Sequence, residues 1–196
     1  MSFINEKQKE INCKVVYYGP PLCGKSTTLR AIYEQVRADA KGDLISISTE
    51  GDRTLYFDFV PLSLGKLKDY TIRLHLYTVP GEVGYDAARK LISKGVDGVV
   101  FIADSQLQKM EDNLRSMNNL KEILKNEGIN FGEIPFVIQY NKRDLPNAVP
   151  VNEMHHLLNQ SNIDEFETVA ITGQGVFDAL KTIGSKVLLN LKRKPI

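Results

Sequence analysis

Apolar residues along this chain fall into short runs that alternate between strand-like and helix-like spacing. Residues 13–18 are rich in β-branched and aromatic side chains and predict a buried strand, and residues 27–36 have helical spacing with hydroxyls in the first turn. Gly42 and Asp43 mark a turn before a short strand at 44–48 and a polar loop at 49–54. Two strands follow, at 55–60 and 70–77. They are joined through Pro61 and Gly65 and lie near enough in sequence to pair as an antiparallel hairpin. In the second, Ile72, Leu74 and Leu76 alternate with Arg73, His75 and Tyr77, which gives it two unlike faces. A short helix is predicted at 85–93, then an unbroken apolar run at 96–103, as in a parallel sheet covered on both sides. Residues 110–126 form an amphipathic helix whose buried stripe is Leu114, Met117, Leu120, Ile123 and Leu124. A strand at 134–140, a helix at 151–158, a last strand at 166–171 and a terminal helix at 176–191 complete the pattern. Strands alternating with helices imply an α/β fold, a mostly parallel doubly wound sheet with an antiparallel edge hairpin, in one domain over residues 1–196.

Chemistry enters at the end of the first strand. Gly19-Pro-Pro-Leu-Cys-Gly24-Lys25-Ser26 is a G-x-x-x-x-G-K-S phosphate-binding loop standing between a strand and a helix. Backbone N–H groups of such a loop and the following helix N-terminus face phosphate oxygens. Gly19, Leu22, Cys23, Gly24, Lys25, Ser26 and Thr27 are therefore expected to line a nucleotide, with Lys25 reaching the β and γ phosphates and Ser26 supplying an oxygen to Mg²⁺.

A phosphate loop does not by itself choose a base. Asn141-Lys142-Arg143-Asp144, after the strand at 134–140, supplies that choice. The Asp144 carboxylate can accept from guanine N1–H and the 2-amino group, a donor pair that adenine lacks. Asn141 would brace base and loop, the Lys142 stem could lie along the ring face, and Ala170 and Ile171 after the last strand could close over the base through backbone groups. Thr54, in the polar loop, is the candidate switch threonine for Mg²⁺ and the γ phosphate, and Gly81 offers a backbone N–H at the start of a second switch. Every one of these motifs lies at a strand's carboxyl end or in the loop beside it, where doubly wound sheets bind ligands.

Charge and cysteine content narrow the field. Twenty-five basic residues against 24 acidic give a net charge of +1, which offers no field to recruit nucleic acid or membrane. Cys13 and Cys23, the two cysteines, make no disulfide framework and fit a reducing compartment. Cys23 reads as a small loop residue, although converging backbone donors could lower its thiol pKa. His75, His155 and His156 lack partners at metal-ligand spacing. With no apolar leader, Ser2 where myristoylation needs glycine, and no terminal prenylation cysteine, the expectation is a cytoplasmic protein without an integral membrane segment.

The chain resembles the bacterial mutual gliding-motility protein A family, Ras-like small GTPases of cell polarity. The likeness is carried by the phosphate loop with residues 16–19 leading into it, by 54–59 and 76–81, by 89–92, and by 137–146. Thr78-Val-Pro-Gly81, in place of the usual Asp-x-x-Gly, is itself a family mark. This resemblance implies a Ras-like P-loop GTPase fold and a GDP/GTP switch needing Mg²⁺ and located at a cell pole in its GTP state. It also implies a monomer when alone, a homodimeric Roadblock-fold activator, and effectors governing polarity, gliding or type IV pilus motility. Arg53 maps to an arginine finger carried within the chain, joining Lys25 among the catalytic residues. Glu82 departs from the family, whose glutamine there orients the attacking water. A carboxylate can accept from that water but cannot donate to a phosphate, so slow hydrolysis is expected. The alternative is a slow or inactive GTPase acting as a GTP-dependent protein-binding scaffold. With Thr78 in the carboxylate's place, Asp58 is a candidate Mg²⁺ partner, or else a strand aspartate facing solvent. An ATP-using kinase fits poorly, since Asn141 to Asp144 reads as a guanine motif.

Overall fold

In the computed structural model, which describes residues 3–47, 57–81 and 84–193, the first predicted strand is longer than its apolar run. Strand β2 (Glu10–Tyr18) begins three residues early because β1 (Phe3–Asn5), unpredicted from the sequence, folds back antiparallel on Glu10 to Asn12. Helix α1 (Lys25–Gln35) follows the phosphate loop, and β3 (Ile45–Ile47) is a three-residue edge strand.

The hairpin strand predicted at 55–60 instead runs on as β4 (Phe57–Leu67), straight through Pro61 and Gly65. Two features permit this. Pro61 accepts the Gly42 N–H through its carbonyl at 2.9 Å. Its missing N–H points to the same side, beyond the last rung of β3 at Phe59, so it removes no bond from the ladder to the neighbouring strand β5 (Tyr70–Thr78). The register shifts between Ser63 and Gly65, and Gly65 absorbs that bulge at φ 97°.

Helix α2 (Asp86–Ser93), strand β6 (Gly98–Asp104), helix α3 (Met110–Asn126), strand β7 (Phe136–Asn141), helix α4 (Val151–Leu158), strand β8 (Glu165–Glu167) and helix α5 (Val176–Arg193) complete the chain. Strand β8 ends at Glu167, not 171, because Thr168 to Ala170 turn in to bond Tyr140 and Asn141.

The sheet order is β3-β4-β5-β2-β6-β7-β8, with β1 on β2. Pairings from β5 through β8 are parallel, and β3, β4 and β5 form the antiparallel edge. Alternation along β2 feeds two cores. Cys13, Val15 and Tyr17 pack with Leu29, Ile32 and Ile183 of α1 and α5, while Val16 and Tyr18 pack with Met117, Leu120 and Leu124 of α3. Each fully buried leucine of this kind contributes about 1.5–3 kcal/mol. The α3 stripe holds one surprise: Asn113 is fully buried, whereas Leu114 is half-buried. The carboxyl ends of β2, β5, β6 and β7 thereby converge on one rim.

Candidate nucleotide site

At that rim the phosphate loop wraps around its own lysine. Lys25 is buried, and its ammonium donates to the carbonyls of Gly19 at 3.0 Å and Pro20 at 2.7 Å. The loop carbonyls thus hold the cation where phosphate oxygens would meet it. Gly24 caps α1 at φ 105°, and a Cβ there would run into the Asn141 side-chain amide. A second close approach joins Gly81 to the loop, since a Cβ on Gly81 would lie 2.5 Å from Pro21 N. The sequence left room for a lowered Cys23 pKa. Burial instead pushes the thiol up, against the pull of Lys25, so it is a packing residue and no reactive thiolate.

Two cavities flank Leu22. One, of about 330 Å³, is lined by Lys25, Ser26, Asp58, Thr78, Gly81 and Tyr85 among others. The Thr78 hydroxyl accepts the Asp58 N–H at 2.7 Å and donates to Asp58 Oδ2 at 3.1 Å, and Ser46 donates to Asp58 Oδ1 at 2.7 Å. Asp58 is therefore a half-buried carboxylate that also lines this cavity. Hydroxyl and carboxylate oxygens beside a fixed ammonium are the donor set that suits Mg²⁺ and phosphate. The residues present fit both.

The other cavity, of about 320 Å³, is lined by Gly24, Thr27, Asn141, Lys142, Asp144, Ala170 and Ile171 with Leu22 and Leu145. Asn141 knits its walls. Its amide donates to the Cys23 carbonyl at 2.8 Å, and its oxygen accepts from Ala170 N–H at 2.9 Å and Thr168 Oγ1 at 3.2 Å. The Ala170 N–H is thus committed to Asn141, while the 170–171 backbone still walls the cavity. Thr168 was missed by sequence reasoning, because nothing in its own neighbourhood signals a partner 27 residues away.

Arg89 of α2 lines neither cavity and is buried against the end of β5. It donates to the Pro80 carbonyl at 3.2 Å and to Asp86 Oδ1 at 2.7 Å. It belonged to a stretch of family likeness without a role. Arg53, Thr54 and Glu82 lie outside the described residues.

A family model described as the ADP-ribosylation factor family matches residues 59–187. The chain is also 61% identical over 193 residues to mutual gliding-motility protein MglA of Myxococcus xanthus (strain DK1622), spanning 98% of this chain and 99% of that protein. The chain belongs to this family of small GTPases. More distant relatives are human ADP-ribosylation factor-like protein 4A, 25% identical over 91% of this chain and 84% of its own, and human ADP-ribosylation factor-like protein 4C, 24% identical over 68% and 69%. The family resemblance and the Ras-like fold read from the sequence are borne out. The protein is a Ras-like GTPase that binds GTP and GDP with Mg²⁺, hydrolyses GTP, and switches with its nucleotide. Among the described residues no helix is long and apolar enough to cross a membrane.

Proposed function

We propose that this GTPase is a polarity and motility switch of a bacterial cell, active in the cytoplasm, recruited to a pole in the GTP state, and served by a homodimeric Roadblock-fold activator. The likeness to MglA over nearly the whole chain carries that reading. In it, Asn141, Lys142 and Asp144 hold guanine, with Ala170 and Ile171 closing the cavity. The phosphate loop from Gly19 to Thr27, with Leu22, Cys23 and Gly24, embraces the phosphates. Mg²⁺, when bound, neutralises phosphate charge, and Ser26 and Thr54 would hold it with Asp58 in support.

Lys25 keeps a positive charge where the leaving oxygens gain negative charge, and the Gly81 N–H serves the γ phosphate. Arg53 adds a planar donor fork to the same oxygens, so the activator orders the switches without inserting an arginine. Glu82 would accept from the attacking water but repel phosphate oxygens unless Arg53 offsets it. That residue favours a second reading, a slow GTPase whose long-lived GTP state serves as a scaffold for effectors.

Single-turnover GTP hydrolysis by wild type, E82Q and R53A, with and without the activator, tests these assignments. The expected order is E82Q fastest and R53A slowest, with activator stimulation in the wild type. E82Q no faster than wild type would sink the role given to Glu82. Wild-type turnover that stays slow even at saturating activator would favour the scaffold reading.

A further inference from the structure

Asp104 ends β6 with its carboxylate fully buried, beside the base cavity but not among its lining residues. Carboxylates are almost never found fully buried unless paired. Its partner is Lys142, whose ammonium meets Asp104 Oδ2 at 2.6 Å. Gln106 donates to Oδ1 through its backbone N–H and side-chain amide, both at 3.1 Å. Lys142 itself adopts φ 66°, a left-handed conformation that L residues rarely take, so something must hold it there.

The holding extends inward. Asn113, the buried asparagine of α3, accepts the Asp104 N–H at 2.9 Å and donates to the Asp104 carbonyl at 2.8 Å. Outward, Ser105 N–H donates to the Asn141 carbonyl at 3.0 Å, and the Ser105 carbonyl accepts from Val149 N–H at 2.8 Å. The Asp104 backbone is therefore braced from the helix core, and that of the next residue, Ser105, from Asn141 and Val149. Among the described residues, Lys142 is the side-chain partner of Asp104 that lines the base cavity.

We propose that Asp104 is a positioning residue for guanine nucleotide: it fixes the Lys142 ammonium, so that the Lys142 stem forms one wall of the base cavity, and Asn113 fixes Asp104. The proposal rests on the reading of Asn141 to Asp144 as the guanine site. A wall of methylene groups meets the ring face of any purine, whereas the Asp144 carboxylate distinguishes substituents on the ring edge. Asp104 thus governs how long a purine nucleotide stays, and leaves the choice among purines to Asp144.

The test is release of N-methylanthraniloyl-GDP from the full chain by stopped flow, with competition by unlabelled GDP and IDP, for wild type, D104N, K142A, D104N/K142A and D144A. D104N is expected to speed release about tenfold and to leave the GDP-to-IDP preference unchanged. The double variant should release no faster than K142A alone, because Asp104 acts through Lys142. D104N within about twofold of wild type overturns the proposal, as does a double variant whose effect is the product of the two singles, the mark of a structural role. Should D104N purify unfolded, D104E, which keeps the charge but displaces the ammonium, is read against the same limits. D144A with undiminished GDP binding would overturn the base-site reading and this proposal with it. A weakened D144A beside a silent D104N overturns the proposal alone.

Discussion

The side-chain amide of Asn141 donates to the carbonyl of Cys23 at 2.8 Å, across 118 residues of chain. That bond fastens the end of β7, proposed to hold the base, to the phosphate loop, and it shares one side chain with the Ala170 and Thr168 bonds. N141A would leave a buried carbonyl and a buried N–H unpaired, at about 1–3 kcal/mol each. The expected result is a lower denaturant midpoint and nucleotide release at least about tenfold faster, read by chemical unfolding and labelled-GDP chase. N141S should recover part of the stability, since its hydroxyl can satisfy one of the two groups.

Asp58 and Thr78 give a metal-dependent prediction. The ladder between β4 and β5 reaches only Phe59 and Tyr77 at this end, and the Thr78 hydroxyl takes the next N–H, that of Asp58. This swings a carboxylate to the cavity that lacks the usual one at position 78. D58A is expected to raise the Mg²⁺ concentration that retains GDP by about tenfold and leave release in EDTA unchanged. Equal acceleration with and without Mg²⁺ would make Asp58 a strand-end brace only. Metal titrations followed by nucleotide release distinguish the two.

The long parallel strands and the helices were legible because their periodicity is local, and so were Gly24, Lys25, Asn141 and Asp144, whose spacing is a motif. What was hidden depends on distant partners. Strand β1 is too short to carry a pattern and exists by pairing with β2. Pro61 and Gly65 read as strand breakers, yet Pro61 loses no ladder bond because its donor side faces past the end of β3. Asn113 is polar and has no place in the apolar stripe of α3, and its burial is explained by its bonds to the end of β6. Asp104 could have been found by asking what stands at the carboxyl end of the most apolar strand.

Glu165 provides a pH signature away from the nucleotide. Desolvation pushes its pKa up, but hydrogen bonds from Asn159, His155 and Tyr140 together outweigh that and hold it below the usual carboxylate range. Burial, then Glu165, pushes the Tyr140 phenol up, so it remains a donor. A carboxyl with a depressed folded pKa contributes stability that is complete above its unfolded value of about 4.3 and is lost as pH falls through the folded one. Wild type should therefore exceed E165Q in urea midpoint at pH 7, and the gap should close below about pH 4. A gap constant down to pH 3 would mean that the carboxylate's charge contributes nothing.

Arg89 ties the segment that follows β5 to helix α2. Its guanidinium holds the Pro80 carbonyl and Asp86, while Asp86 Oδ1 also accepts from Asn119 at 3.3 Å, and Tyr18 donates to Asn119 at 2.5 Å. The residue after Pro80 is Gly81, pressed against Pro21 of the phosphate loop, so Arg89 pins the strand end where a γ phosphate would be sensed. Lysine offers a point charge in place of a two-armed fork and cannot reach both acceptors in the same geometry. R89K should cost about 2 kcal/mol, less than a fully buried pair because Asp86 is largely exposed. Its sharper consequence is for nucleotide preference. If the Gly81 N–H serves the γ phosphate as proposed, GDP affinity should stay within about twofold of wild type while GTP affinity falls about tenfold, measured by competition of each against labelled GDP. Equal losses for both nucleotides would reduce Arg89 to a structural residue of α2.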